Sequence, residues 1–147
     1  MERRRVDRCL SFEYRRERDR ELLELFNREL GNQPGESVEE VLRRVVEKPS
    51  RRFWVSEERA RRVVSAMSRH PLPSGGSEER REMFEEIRRR CDLLAVEHPD
   101  WSLSERVYHV VCREAPRFYL SVHRAHAIIC KERRRWRAEI SRRLRRC

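Results

Sequence analysis

"RRFWVSEERARRVV", Arg51 to Val64, and "PRFYLSVHRAHAII", Pro116 to Ile129, are one phrase written twice, 65 residues apart. Arg-Phe, a second aromatic, an aliphatic residue, Ser, Arg-Ala and a closing aliphatic pair all return in register. Working outward, the same shift aligns Pro34 with Pro99, Ser37 with Ser102, Glu40 with Glu105 and Val45-Val46 with Val110-Val111, with no gap. Val38/Leu103, Trp54/Tyr119 and Val55/Leu120 are conservative pairs. An ordered set of this kind marks an internal duplication, and self-similarity at a fixed period sets the architecture.

Each copy reads as three helices. The first covers about Phe12–Leu30, then Ser77–Glu97. Leu22, Leu23, Phe26 and Leu30 share one face in the first copy; Met83, Phe84, Ile87, Cys91 and Leu94 do so in the second. Gly31 is expected to close the first of these in left-handed geometry, and His98-Pro99 to end the second. The second helix opens on Ser-x-x-Glu, at 37–40 and again at 102–105. There the Ser oxygen accepts the third amide while the Glu reaches back. It buries Val38, Val41, Leu42, Val45 and Val46, or Leu103, Val107, Val110 and Val111, and stops before Pro49 or Pro116. The third helix starts at a Ser cap, Ser56 or Ser121. It buries Ala60, Val63, Val64 and Met67, or Ala125, Ile128 and Ile129. Four Gly and six Pro argue against the many turns of an all-β chain.

The expected fold is therefore all-α: two tandem three-helix units related by a 65-residue repeat, with an extended basic C-terminal helix. Residues 1–70 form the first unit with a basic N-terminal segment, 71–76 ("PLPSGG") the linker, 77–130 the second unit and 131–147 the basic extension. Within the repeated phrase, Phe53/Phe118 and Val55/Leu120 are expected core anchors, and Trp54/Tyr119 caps on the side of that core. Nothing in the phrase is an activated nucleophile.

The net charge of +10 is uneven. Residues 131–147 carry nine basic residues against two Glu, and residues 1–20 carry eight against five acids; residues 21–130 are neutral, with 19 of each sign. A neutral body with basic ends points to an anionic partner, nucleic acid first and an acidic protein surface second. Nearly all the positive charge is Arg, whose planar fork suits phosphate and carboxylate. Five Cys with no CxxC pair fit free thiols in a reducing cytoplasm. No apolar stretch reaches the ~20 residues needed to span a bilayer, and the N-terminus lacks the apolar core of a secretory signal.

A capped helix, a turn with an aromatic hook and a second capped helix resemble, twice over, the tri-helical helix-turn-helix DNA-binding domains. That resemblance implies a third helix entering the major groove. The connectors "KPSRRFWV" and "EAPRFYL" are longer than the tight turn of those domains and lack Gly. The run Pro49–Ser56 also resembles small bacterial repeat proteins that carry P-x-x-R-F-aromatic-aliphatic-S, a likeness that implies no activity.

The two copies differ where a groove-reading helix would begin. The first has Glu57-Glu58, which suit the helix dipole but repel phosphate. The second has His123, Arg124 and His126, and continues into Lys131, Arg133, Arg134, Arg135, Arg137, Arg142 and Arg143. Those residues, with Arg117 as a phosphate clamp or a partner of the capping Glu105, are the expected nucleic-acid contacts, DNA before RNA. Trp136, Ile140 and Leu144 continue an apolar stripe from Ile129. It is expected to dock on Val6, Leu10 and Tyr14 of the same chain; a homodimer seam or an acidic membrane surface are the other arrangements. His123, His126 and Cys130, with Cys112, have usable zinc spacing, but ligand pairs on two segments are lacking, so neither metal nor cofactor is expected. No P-loop, GxGxxG, HExxH or GxSxG pattern occurs, and the chain reads as a non-enzyme.

Overall fold

The computed structural model describes residues 2–32, 34–72 and 76–147, with side chains described from Tyr14 onward. The described chain is all-α. Its helices are α1 (Glu2–Asn32), α2 (Val38–Val46), α3 (Glu57–Met67), α4 (Glu78–Glu97), α5 (Leu103–Val111) and α6 (Val122–Arg146).

Serine punctuates the starts. Ser56, Ser77, Ser102 and Ser121 sit in extended backbone, and each side chain accepts the amide three residues on, from Arg59, Arg80, Glu105 and Arg124. Ser102 and Glu105 close a reciprocal capping box, with bonds of 3.2 and 3.0 Å. Ser37 and Glu40 do the same at 3.2 Å each. Each cap satisfies donors that the helix leaves without a partner. Ser102→Ala is expected to cost about 1 kcal/mol of stability, read as a lowered midpoint in urea with an unchanged slope.

The ends follow equally local chemistry. α4 stops at His98, whose N–H reaches the Leu94 carbonyl at 2.7 Å, and Pro99 prevents continuation. Gly31 does not close α1. The helix continues through it to Asn32, and the left-handed glycine is Gly35 (φ 100°), in the turn that leads to the Ser37 cap.

The helices gather into two packing units. One comprises residues before Arg16 together with Glu47–Tyr119; the other comprises Arg16–Val46 and Leu120–Cys147. In the first, Phe53, Val55, Ala60 and Val64 pack with Met83, Phe84, Ile87 and Cys91 of α4 and with Val107, Val110 and Val111 of α5. In the second, Leu22 and Phe26 of α1, Val41, Leu42, Val45 and Val46 of α2, and Ala125, Ile128 and Ile129 of α6 are buried. α3 packs on α4 and α5, and α6 packs on α2 and sets Arg133 over Phe26 of α1. Ala60 and Ala125, both fully buried, let α3 and α6 come close to their neighbours.

This grouping differs from the contiguous division at 71–76, which falls inside one packing unit. It also separates α2 from α3, and α5 from α6, the pairs that the helix-turn-helix likeness would join. The physical reason lies in the connectors. Ser50 and Ala115, equivalent in the repeat, exchange both backbone hydrogen bonds at 2.9 Å in an isolated antiparallel bridge. Phe53 N–H donates to the Val111 carbonyl at 3.1 Å. The first connector then bends through 51–55, with Val55 N–H on the Phe53 carbonyl at 2.9 Å, and is longer than the tight reversal of a helix-turn-helix.

The repeated phrase is mainly this connector. Phe53 is fully buried and stacks on Tyr119 with ring centres 5.9 Å apart. Trp54 donates its indole N–H to Ser50 Oγ at 2.6 Å. Arg52 folds over the turn, donating to the Phe53 and Val55 carbonyls at 3.1 and 3.2 Å, and its guanidinium lies 4.2 Å from the Tyr14 ring centre. Tyr119 holds φ at 55°, a left-handed conformation costly for a bulky side chain, at the last residue of its packing unit.

Candidate functional site

α6 has two stretches with different surroundings. Its first turns bury Ala125, Ile128 and Ile129, while His123, Arg124 and His126 face solvent. Beyond Cys130 the packing falls away. Lys131, Arg134, Arg135, Arg137, Arg142, Arg143, Arg145 and Arg146 are exposed. Arg133 is half-buried, its guanidinium 4.9 Å from the Phe26 ring centre, which anchors the start of this stretch by a cation–π contact.

The acids on this helix are already engaged. Glu132 pairs with Arg135 at 3.4 Å and Glu139 with Arg143 at 2.7 Å, while Arg142 Nε donates to the Ala138 carbonyl at 3.4 Å. Among the described residues, Lys131, Arg134, Arg137, Arg145 and Arg146 make no ion pair or hydrogen bond. Three of these cations recur every three residues, at 131, 134 and 137, and two more, Arg145 and Arg146, lie in the last turn of the helix. Exposed ion pairs contribute little to folding, so a free Arg cluster here is not explained by stability.

Ten of the eleven expected contact residues are thus carried by α6. Arg117 is the exception. It lies in the other packing unit, donating to Glu82 at 2.5 Å and to Glu47 at 3.4 Å, with its guanidinium 5.2 Å from the Tyr119 ring centre. Its carboxylate partners are thus Glu82 and Glu47, not the capping Glu105. Two carboxylates and a ring face occupy the fork, so its role is to brace the Tyr119 corner.

The possible zinc ligands give one contact: Cys130 Sγ and His126 Nε2 are 3.9 Å apart. Cys112 instead lies 3.9 Å from Glu57 Oε1. Among the described residues no group of three His, Cys, Asp or Glu side chains gathers around a point. Cys91 is 1% exposed, and burial pushes its thiol up to about 11 from 9.0. A raised folded value means stability is fully present below pH 9.0 and is lost as pH rises toward 11. Maleimide labelling near neutral pH is therefore expected to modify exposed Cys112 and Cys147 and to spare Cys91 until the chain unfolds, as read by peptide mass spectrometry.

Two features stand apart from the expected contacts, and only the first left no mark in the sequence pattern. One is a ladder of rings: His98 on Trp101 (3.9 Å, 6°), then Trp101 on His109 (4.4 Å, 22°). In the first copy the positions equivalent to Trp101 and His109 are Glu36 and Arg44, which form an ion pair that Glu29 joins at 3.5 Å. Positions 65 residues apart are thus joined by charge in one place and by stacking in the other. Neither position of the pair keeps its residue type, so identity at that shift does not mark it.

The other feature is the apolar stripe of α6. Trp136 is 62% and Leu144 71% exposed, with Ile140 half-buried between them. Val6 and Leu10, the proposed acceptors, lie outside the described side chains, and Tyr14 is taken by Arg52.

No protein-family model, curated protein or solved structure matches this chain. Among the described residues no helix is long and apolar enough to cross a membrane.

Proposed function

We propose that this protein is a non-enzymatic, cytoplasmic nucleic-acid-binding factor of accessory or regulatory type, and that α6 is its main contact. One observation carries the reading: five cations that make no ion pair or hydrogen bond among the described residues, three at three-residue spacing (131, 134, 137) and two in the last turn (145, 146) of a helix whose two acids are already paired. Each such group can replace a condensed counterion on a phosphate backbone, and the released counterions supply the affinity. His123, Arg124 and His126 extend the same helix toward its N-terminus.

The rest of the chain is the scaffold. We read it as a duplicated 65-residue segment. Support comes from Ser50 and Ala115, equivalent positions that bond to each other as isologous contacts do. The buried pairs Leu22/Ile87, Val45/Val110, Phe53/Phe118 and Ala60/Ala125 point the same way. The first copy, with Glu57-Glu58 opening α3, has no comparable basic extension.

Titrating a labelled DNA duplex at several salt concentrations tests the reading. Binding should weaken linearly in log–log form as salt rises. Absence of salt-dependent binding near physiological ionic strength sinks it. The exposed Trp136 and Leu144 favour a second reading, an acidic protein partner. Capture of such a partner that survives nuclease treatment, with no binding to oligonucleotides, would select it.

A further inference from the structure

We infer that α6 is built for unpaired strands, with Trp136 as a platform on which a base stacks. The inference rests on the nucleic-acid reading above and names its substrate class.

Trp136 sits between Arg135 and Arg137 in the chain and is 62% exposed. Ile140 and Leu144 follow it at four-residue spacing, so the three line one face of the helix. The surface therefore offers two things together: cations for phosphates and a narrow apolar strip in water. A duplex uses the first and leaves the second solvated, because its base faces are stacked inside. An unpaired strand uses both. Its phosphates meet the guanidinium groups while a base lies on the indole, and every base has a face that can do so.

Other occupants fit the same surface less well. A second copy of this chain would set two tails of nine cations and two acids against each other. A lipid interface takes a helix whose apolar face spans at least ~100°. Here that face is one side chain per turn, and the Glu139–Arg143 pair runs along the same stretch.

The test uses the full chain and three labelled probes of equal length: oligo-dT, the same sugar–phosphate backbone without bases, and a duplex. Each is titrated against the wild type, Trp136→Ala and Trp136→Phe, with circular dichroism to check that the fold is intact. The wild type should bind oligo-dT roughly tenfold more tightly than the abasic strand. Trp136→Ala should abolish that difference while leaving the salt-dependent binding of the abasic strand, and Trp136→Phe should retain part of it. Equal binding of oligo-dT and abasic strands, unchanged by Trp136→Ala, overturns the stacking inference and leaves the electrostatic reading standing. No binding to any probe removes both. Binding of phosphatidylglycerol vesicles that depends on Trp136, with none to the oligonucleotides, would assign the strip to lipid and overturn the inference.

Discussion

Phe53→Ala is expected to lower the unfolding free energy by about 3–5 kcal/mol. Phe53 has no solvent exposure and stands where three elements meet. Its ring stacks on Tyr119, the Arg90 guanidinium lies 5.0 Å from its centre, and its N–H bonds to the Val111 carbonyl. Truncation removes the transfer free energy of the ring and leaves a cavity that helices cannot collapse into without breaking their own packing. Single domains are stable by about 5–15 kcal/mol in total. The variant should therefore melt far below the wild type and expose Trp54, whose indole bond to Ser50 depends on the same turn. Denaturant titration followed by tryptophan fluorescence measures it. A loss under about 1 kcal/mol would show that the hook sits on the core and not in it.

That prediction was available from sequence in outline. Phe53 and Phe118 stood in register, and a large aromatic at a repeated connector position has few uses other than burial; both are buried. Helix starts were equally plain, because Ser-x-x-Glu is chemistry within four residues. Ser37/Glu40 and Ser102/Glu105 make the bonds the pattern implies. What the chain does not write locally is which helix packs on which. The apolar face of α3 is equally suited to α2 or to α5, since Leu42 and Val107, or Val45 and Val110, are near equivalents. The choice turns on the connector, where Ser50 pairs with Ala115 across 65 residues. A backbone bridge carries no side-chain signature, so the exchange of third helices was illegible.

The candidate site shows the same division. The charge of the C-terminal extension was evident from composition. Whether a given Arg is free was not, because ion pairs are made by geometry. Arg117 aligns with Arg52 and precedes the same aromatic, yet Arg52 binds carbonyls and Arg117 binds Glu82 and Glu47. The stripe of Trp136, Ile140 and Leu144 was legible as a period, but period and hydrophobicity do not say what covers it, and Trp136 is 62% exposed.

The largest functional effect is expected from removing the free cations together. Replacing Lys131, Arg134, Arg137, Arg145 and Arg146 by Gln should lower affinity for any oligonucleotide by about a thousandfold or more at low salt. It should also flatten the log K against log salt slope by about 3–5. The fold should be unaffected. All five are exposed and make no bond among the described residues, and Gln has a helix propensity close to that of Arg and Lys. Arg117→Gln is the informative contrast. It breaks two ion pairs and the contact with Tyr119, so it should cost stability, about 0.5–1 kcal/mol for such a partly exposed site, without changing the salt slope. The two variants separate the uses this chain makes of arginine. If the five-fold variant binds as tightly as the wild type while Arg117→Gln weakens binding, the contact surface lies in the packing unit of α3 to α5 and not along α6.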